Sequence, residues 1–168
     1  MTRINHAERF SEFCEALDKA SENLRVKSLI NKAINATISI EGGYKFSTLK
    51  DQDEFGNCRM TIPKAIIDQI NSDKVIELPK KAKKPVTWFI CWLNAIHPDK
   101  TKTGWESYQC SHLCTRGNCI TETCLCWESA SSNQSRGNDF CERLCAHKNC
   151  KKTICKCQGL HDPPCAKH

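Results

Sequence analysis

The chain has 168 residues, 14 of them cysteine, and a formal net charge of +6. That length supports one domain with a real core. No stretch approaches the length of a membrane span, and Met1 to His6 lack the apolar run of a secretory signal, so the expectation is an intracellular protein, nuclear or otherwise. The charge is evenly spread: residues 1–109 hold 17 basic and 14 acidic side chains, and residues 110–168 hold 8 and 5. Such a mild excess fits a polyanionic partner without identifying one.

Residues 3–34 read as helical. Ile4, Ala7, Phe10, Cys14 and Leu17 recur at three- and four-residue steps. Ser21 and Asn23 can break the helix, after which Leu24, Ile30 and Ile34 resume the apolar stripe. From Ala36 the pattern turns to strands, Thr37–Ile40 and Tyr44–Leu49, joined by a Gly42-Gly43 turn. Gly56-Asn57 marks another turn before a third strand, Cys58–Pro63. A short helix follows over 64–71. Pro79-Lys80-Lys81-Ala82-Lys83-Lys84-Pro85 reads as a basic loop: a solvated surface, a phosphate-contacting loop or a nuclear import signal. Val86–Ile96 is strongly apolar and reads as a buried helix ended at His97-Pro98, with Trp88, Phe89 and Trp92 as core.

Cys110–Cys165 holds eleven of the cysteines, together with His112, His147 and His161. Leu, Ile, Val and Phe are scarce there, so metal cross-links must supply what burial cannot. Disulfides are the alternative, but a reducing compartment keeps thiols free for metal. Cys114-x4-Cys119-x4-Cys124 surrounds the short turn Thr115–Asn118 and offers three thiolates to a tetrahedral zinc. Cys58, Cys110 and Cys126 are candidates for the fourth ligand. Leu125-Cys126-Trp127-Glu128-Ser129 reads as a strand entering a helix, with Ser129 or Ser131 as cap, and the helix then carries Asn133 and Arg136.

Ser111-His112-Leu113-Cys114, Cys119, Leu125-Cys126-Trp127-Glu128-Ser129, Asn133 and Arg136 together resemble the signature of the His-Cys box homing endonucleases. That family lies within the ββα-metal (His-Me finger) nucleases. The resemblance covers about residues 56–165, and several fixed gaps agree at once. It implies an α+β fold with a zinc-stabilised ββα-metal core, antiparallel sheets and an N-terminal helical segment. The expected division is 1–35 helical, 36–109 recognition sheet and central helix, and 110–168 zinc-bound nuclease region, one compact domain in all.

The resemblance also implies roles. Cys58 would complete the first zinc site with Cys114, Cys119 and Cys124. His112 would be the general base, its ring oriented by a backbone carbonyl, and Asn133 would hold a catalytic Mg²⁺. Zinc would be structural. The substrate would be double-stranded DNA, with a sheet around residues 36–62 in the major groove. Lys80, Lys81, Lys83, Lys84 and Arg136 are candidate DNA contacts, although an ion pair is an equal reading of Arg136.

There are departures from the family. Cys124 stands where the family commonly has histidine. The family's phosphate-contacting arginine falls on Thr87, with Lys83 or Lys84 as substitutes. Cys141, Cys145, His147, Cys150, Cys155, Cys157, His161 and Cys165 offer ligands for two more zincs where the family has one, for two or three zincs in all. In a nested partition Cys141, Cys157, His161 and Cys165 form the second site, and Cys145, His147, Cys150 and Cys155 an inserted third. In a sequential one, Cys141 to Cys150 share one metal and Cys155 to Cys165 the next. Cutting both strands takes two active sites, so a homodimer is expected, through a surface other than the family's exchanged C-terminal tail. The other readings are a non-catalytic zinc module that binds nucleic acid or protein, and a defence nuclease of broad specificity.

Overall fold

The computed structural model describes residues 5–54, 56–114 and 116–137. They form a mixed α+β structure with small antiparallel sheets. The N-terminal helical stretch is two helices, α1 (His6–Ala20) and α2 (Val26–Asn35). The break falls at Ser21, whose hydroxyl and amide both bond back to the Leu17 carbonyl. Apolar residues in helical steps bury one face of α1, so Phe10, Phe13, Leu17 and Ala20 are fully enclosed. Ile30 and Ile34 do the same for α2.

Strands β1 (Ile38–Glu41) and β2 (Tyr44–Ser47) form a hairpin in which Glu41 pairs with Tyr44. Its two central residues, Gly42 and Gly43, have φ of 56° and 84°. Two successive positive φ values suit the turn that matches strand twist, and glycine adopts them without a Cβ clash.

The basic segment is only in part the loop that the sequence suggested, with Lys80 and Lys81 in a turn. Lys83–Pro85 forms β4, paired antiparallel with β3 (Arg59–Thr61), Met60 opposite Lys84. The two strands make a sheet separate from the hairpin, so residues 36–62 do not form the single sheet expected. Between them runs α3 (Lys64–Asp73), closed by Lys74 in the left-handed region. The Asn71 carboxamide then clasps Leu78, donating to its carbonyl and accepting from its amide, which turns the chain toward β4.

Helix α4 (Val86–Leu93) is buried nearly throughout, and it ends sooner than the expected residue 96. Asn94 caps it by donating its side-chain amide to the Ile90 carbonyl, and Ala95 then takes a positive φ. Trp88 and Trp92 are core residues and Trp127 packs against that core; Trp92 donates to Asp18 at 2.9 Å and Trp127 to the Ile96 carbonyl at 3.1 Å. The Phe10 ring lies 5.7 Å from Trp88 and 4.5 Å from Trp127, so α1 packs against both α4 and the strands that follow.

Those strands are β5 (Gln109–His112) and β6 (Leu125–Glu128), paired Gln109 to Glu128 and His112 to Leu125. Helix α5 (Ala130–Gly137) follows β6 directly and packs on β5. The Ser129 hydroxyl accepts the Ser132 amide at 3.2 Å, so Ser129 is the cap that starts α5. Behind this unit the Cys91 and Cys110 sulfurs lie 3.6 Å apart and join α4 to β5.

Candidate metal centre and the cleft beside it

The chain between β5 and β6 is a loop with little apolar content, and its cysteines become its core. Cys114, Cys119 and Cys124 are buried, with all three sulfurs within 4.8 Å of one another. A tetrahedral zinc with bonds of 2.3 Å would set its sulfurs about 3.8 Å apart. The cluster is therefore nearly pre-formed and could hold a metal ion such as zinc.

Backbone bonds fix it. Leu113 donates to the Cys124 carbonyl at 2.7 Å, and Cys119 donates to Arg116 at 3.0 Å. The hairpin closes the other side: Ser47 donates to the Asn118 carbonyl, Ile120 to the Lys45 carbonyl, and Phe46 belongs to one buried cluster with the three cysteines. Without metal the thiols share protons. The Cys114 thiol bonded to Cys119 pulls the Cys119 pKa down to about 4, while burial pushes Cys124 up to about 11. One thiolate is thus favoured already, and a dication would displace the remaining protons.

Cys58, the expected fourth ligand, is not brought into this cluster. Its thiol lies 3.4 Å from the Leu49 carbonyl, and its side chain packs in the main core. The chain beside it does reach the loop: a Cβ on Gly117 would meet the Gly56 carbonyl oxygen at 2.7 Å. Cys110 faces Cys91 instead, and Cys126 is half-buried on β6. The eight ligands from Cys141 to Cys165 lie outside the described residues.

His112, the last residue of β5, lines a cleft of about 460 Å³. His112 is 8% exposed, and its Nε2 is buried without a hydrogen-bond partner. That leaves Nδ1 to make the ring's hydrogen bond to the backbone of Cys119. Burial pushes the His112 pKa down, against the pull of the Cys119 thiolate and of that hydrogen bond. Burial, the largest of these effects, favours the neutral ring.

Asn133, one turn into α5, lines the same cleft. Its Oδ1 accepts the Ser111 hydroxyl at 2.9 Å, and its Nδ2 donates to Gln109 Oε1 at 2.9 Å. Residues one and three before His112 on β5 therefore orient the carboxamide. In the sequence Ser111 stands within the motif that carries the resemblance but was given no role, and Gln109 was not singled out. A polar side chain on each position of β5 that faces α5 was the available signal.

The expected DNA contacts separate. Lys80 and Lys81 lie in an exposed turn. Lys83 and Lys84 line the cleft, as do Arg59 and Arg136. Arg136 is 2% exposed and is held by Glu128, Nε to Oε1 at 2.7 Å and Nη2 to Oε2 at 2.8 Å. Of its two readings the structure thus displays the ion pair. Lys83 and Arg59 both pair with Asp51, which holds the Asp51 carboxyl below its usual range. His6 and Arg9 of α1 reach the cleft as well, and no motif in the sequence pointed to them.

Comparison with family models, with curated proteins and with solved structures finds no match. Among the described residues, no helix is long and apolar enough to cross a membrane.

Proposed function

We propose that this chain is a metal-dependent endonuclease of the ββα-metal (His-Me finger) type, related to the His-Cys box homing endonucleases and acting on double-stranded DNA. One observation carries the reading: His112, whose imidazole Nε2 is buried with no hydrogen-bond partner, lines the same cleft as an oriented carboxamide. Leaving a buried acceptor unsatisfied costs about 1–3 kcal/mol, so such groups call for a functional reason.

The chemistry is phosphodiester hydrolysis. His112 Nε2 accepts a proton from water, and the water oxygen attacks phosphorus as the bond to the 3′ oxygen breaks. The leaving 3′ oxygen takes a proton from solvent water, and the products are a 5′ phosphate and a 3′ hydroxyl. Asn133 Oδ1 already accepts from Ser111 and keeps a second lone pair for a cation. A bound Mg²⁺ would supply charge stabilisation at the phosphate and at the leaving oxygen. Being neutral, Asn133 would not quench that charge. Ser111 and Gln109 keep the carboxamide from rotating away. Zinc at the cysteines has no part in the reaction; it fixes the loop against which His112 is oriented. Cleavage of both strands then calls for two copies of the chain on one duplex.

Supercoiled plasmid DNA tests this. With Mg²⁺ the zinc-loaded protein nicks or linearises it, and His112→Ala slows cleavage by about 10²–10⁴-fold while the protein stays folded by circular dichroism. A folded wild-type protein that binds DNA and never cuts it is a non-catalytic zinc module. Cuts at one sequence identify a site-specific enzyme, and smearing identifies a broad defence nuclease.

A further inference from the structure

Five cationic side chains line the cleft: Arg9, Arg59, Lys83, Lys84 and Arg136. Three are already neutralised. Arg59 and Lys83 share Asp51, and Arg136 is held by Glu128. Arg9 and Lys84 are different. Among the described residues neither has a carboxylate within ion-pair distance.

Lys84 is half-buried, and its ammonium is seated over the faces of Trp88 and Phe13, 5.0 Å and 5.5 Å from the ring centres. Those rings fix where the charge sits and favour it without neutralising it. Burial pushes the Lys84 pKa down, and the nearby Arg9 guanidinium pushes it further, against Glu12. Asp53 is turned to Asn57, accepting its backbone and side-chain amides at 2.9 Å and 3.1 Å, and Glu54 is exposed.

Two like charges set close together on a concave surface, one of them partly desolvated, raise the energy of the empty cleft. An anion lowers it. We infer that Arg9 and Lys84 form the phosphate clamp of this cleft, gripping the DNA backbone beside His112 and Asn133. The inference rests on the endonuclease reading for its choice of anion. It makes α1 part of the substrate channel, and it assigns the phosphate contact to Lys84 rather than to its neighbour Lys83, which Asp51 occupies.

The test is binding of a labelled DNA duplex to full-length, zinc-loaded protein by fluorescence anisotropy across a salt series. His112→Ala serves as the background, so that the duplex stays intact. Arg9→Gln and Lys84→Gln should each lower the slope of log affinity against log salt by about 1, and together by about 2. Lys84→Arg should keep the slope, as should Lys32→Gln on the exposed face of α2. Since Lys84 also packs on aromatic rings, the exposed Arg9 gives the answer if Lys84→Gln misfolds. Unchanged slopes in folded Arg9→Gln protein, or no DNA binding by the parent, would overturn the clamp. Reduced slopes in a protein whose wild type never cuts DNA would keep the clamp and overturn the nuclease reading.

Discussion

Gly117 carries the tightest demand in the metal loop. A Cβ there would stand 2.7 Å from the backbone oxygen of Gly56, and a backbone atom cannot swing aside as a side chain would. Gly117→Ala should therefore destabilise the protein by about 1–3 kcal/mol, the usual cost of overpacking. Because the strain falls inside the cysteine loop, zinc affinity should weaken with it. Urea unfolding and competition with a zinc-binding dye measure the two effects, and an unchanged midpoint would show that the loop is looser than described. At this scale the sequence was legible where ligand spacing is local. Cys114, Cys119 and Cys124 could be grouped by their gaps alone, and the structure groups the same three. Cys58 could not be settled that way. Its thiol direction depends on how residues 49–58 fold back, and there the Leu49 carbonyl takes it.

The joining of α5 to β6 sets where Asn133 points. Glu128 ends β6, and Arg136 lies at the end of α5, two turns along, so their bidentate pair ties the helix along its length. Both side chains are buried, which makes the pair costly to break and cheap to replace. Arg136→Met alone should cost about 3–5 kcal/mol, because Glu128 is left as a buried, unpaired charge. Adding Glu128→Leu should recover most of that loss in urea melts. A single variant as stable as wild type would mean that solvent already reaches the pair. The helices, the glycine hairpin and the strand-to-helix step at Ser129 were all legible, since each has local signals. Strand β4 was not: four of the seven residues in the basic run are lysines, and only Arg59–Thr61 opposite it turns Lys83–Pro85 into a strand. Arg9 shows the same limit. Nothing within α1 reveals that its solvent face borders a cleft made by residues far along the chain.

At the scale of the molecule, two cores meet. Phe10, Phe13, Trp88 and Phe89 anchor the helical one, and the cysteines with Phe46 make the other. Chelation should therefore act unevenly. Removing zinc should loosen the β1–β2 hairpin and the cysteine loop first, with the helical core retained. Amide hydrogen exchange can follow this at Lys45, Ile120 and Leu113, and uniform global exchange on chelation would argue against separate cores. Metal analysis bears on the remaining ligands. Three zincs per chain fit Cys141 to Cys165 as two sites, and a value of two rejects the inserted one.

The central claim is that His112 and Asn133 act on one phosphodiester as a unit. A double-variant cycle in single-turnover plasmid cleavage reads this most directly. His112→Ala and Asn133→Ala should each abolish most of the rate, and the pair together should be no slower than the worse single within about tenfold, as for groups sharing one transition state. Losses that multiply, or a folded Asn133→Ala protein that cuts at the wild-type rate, would contradict it.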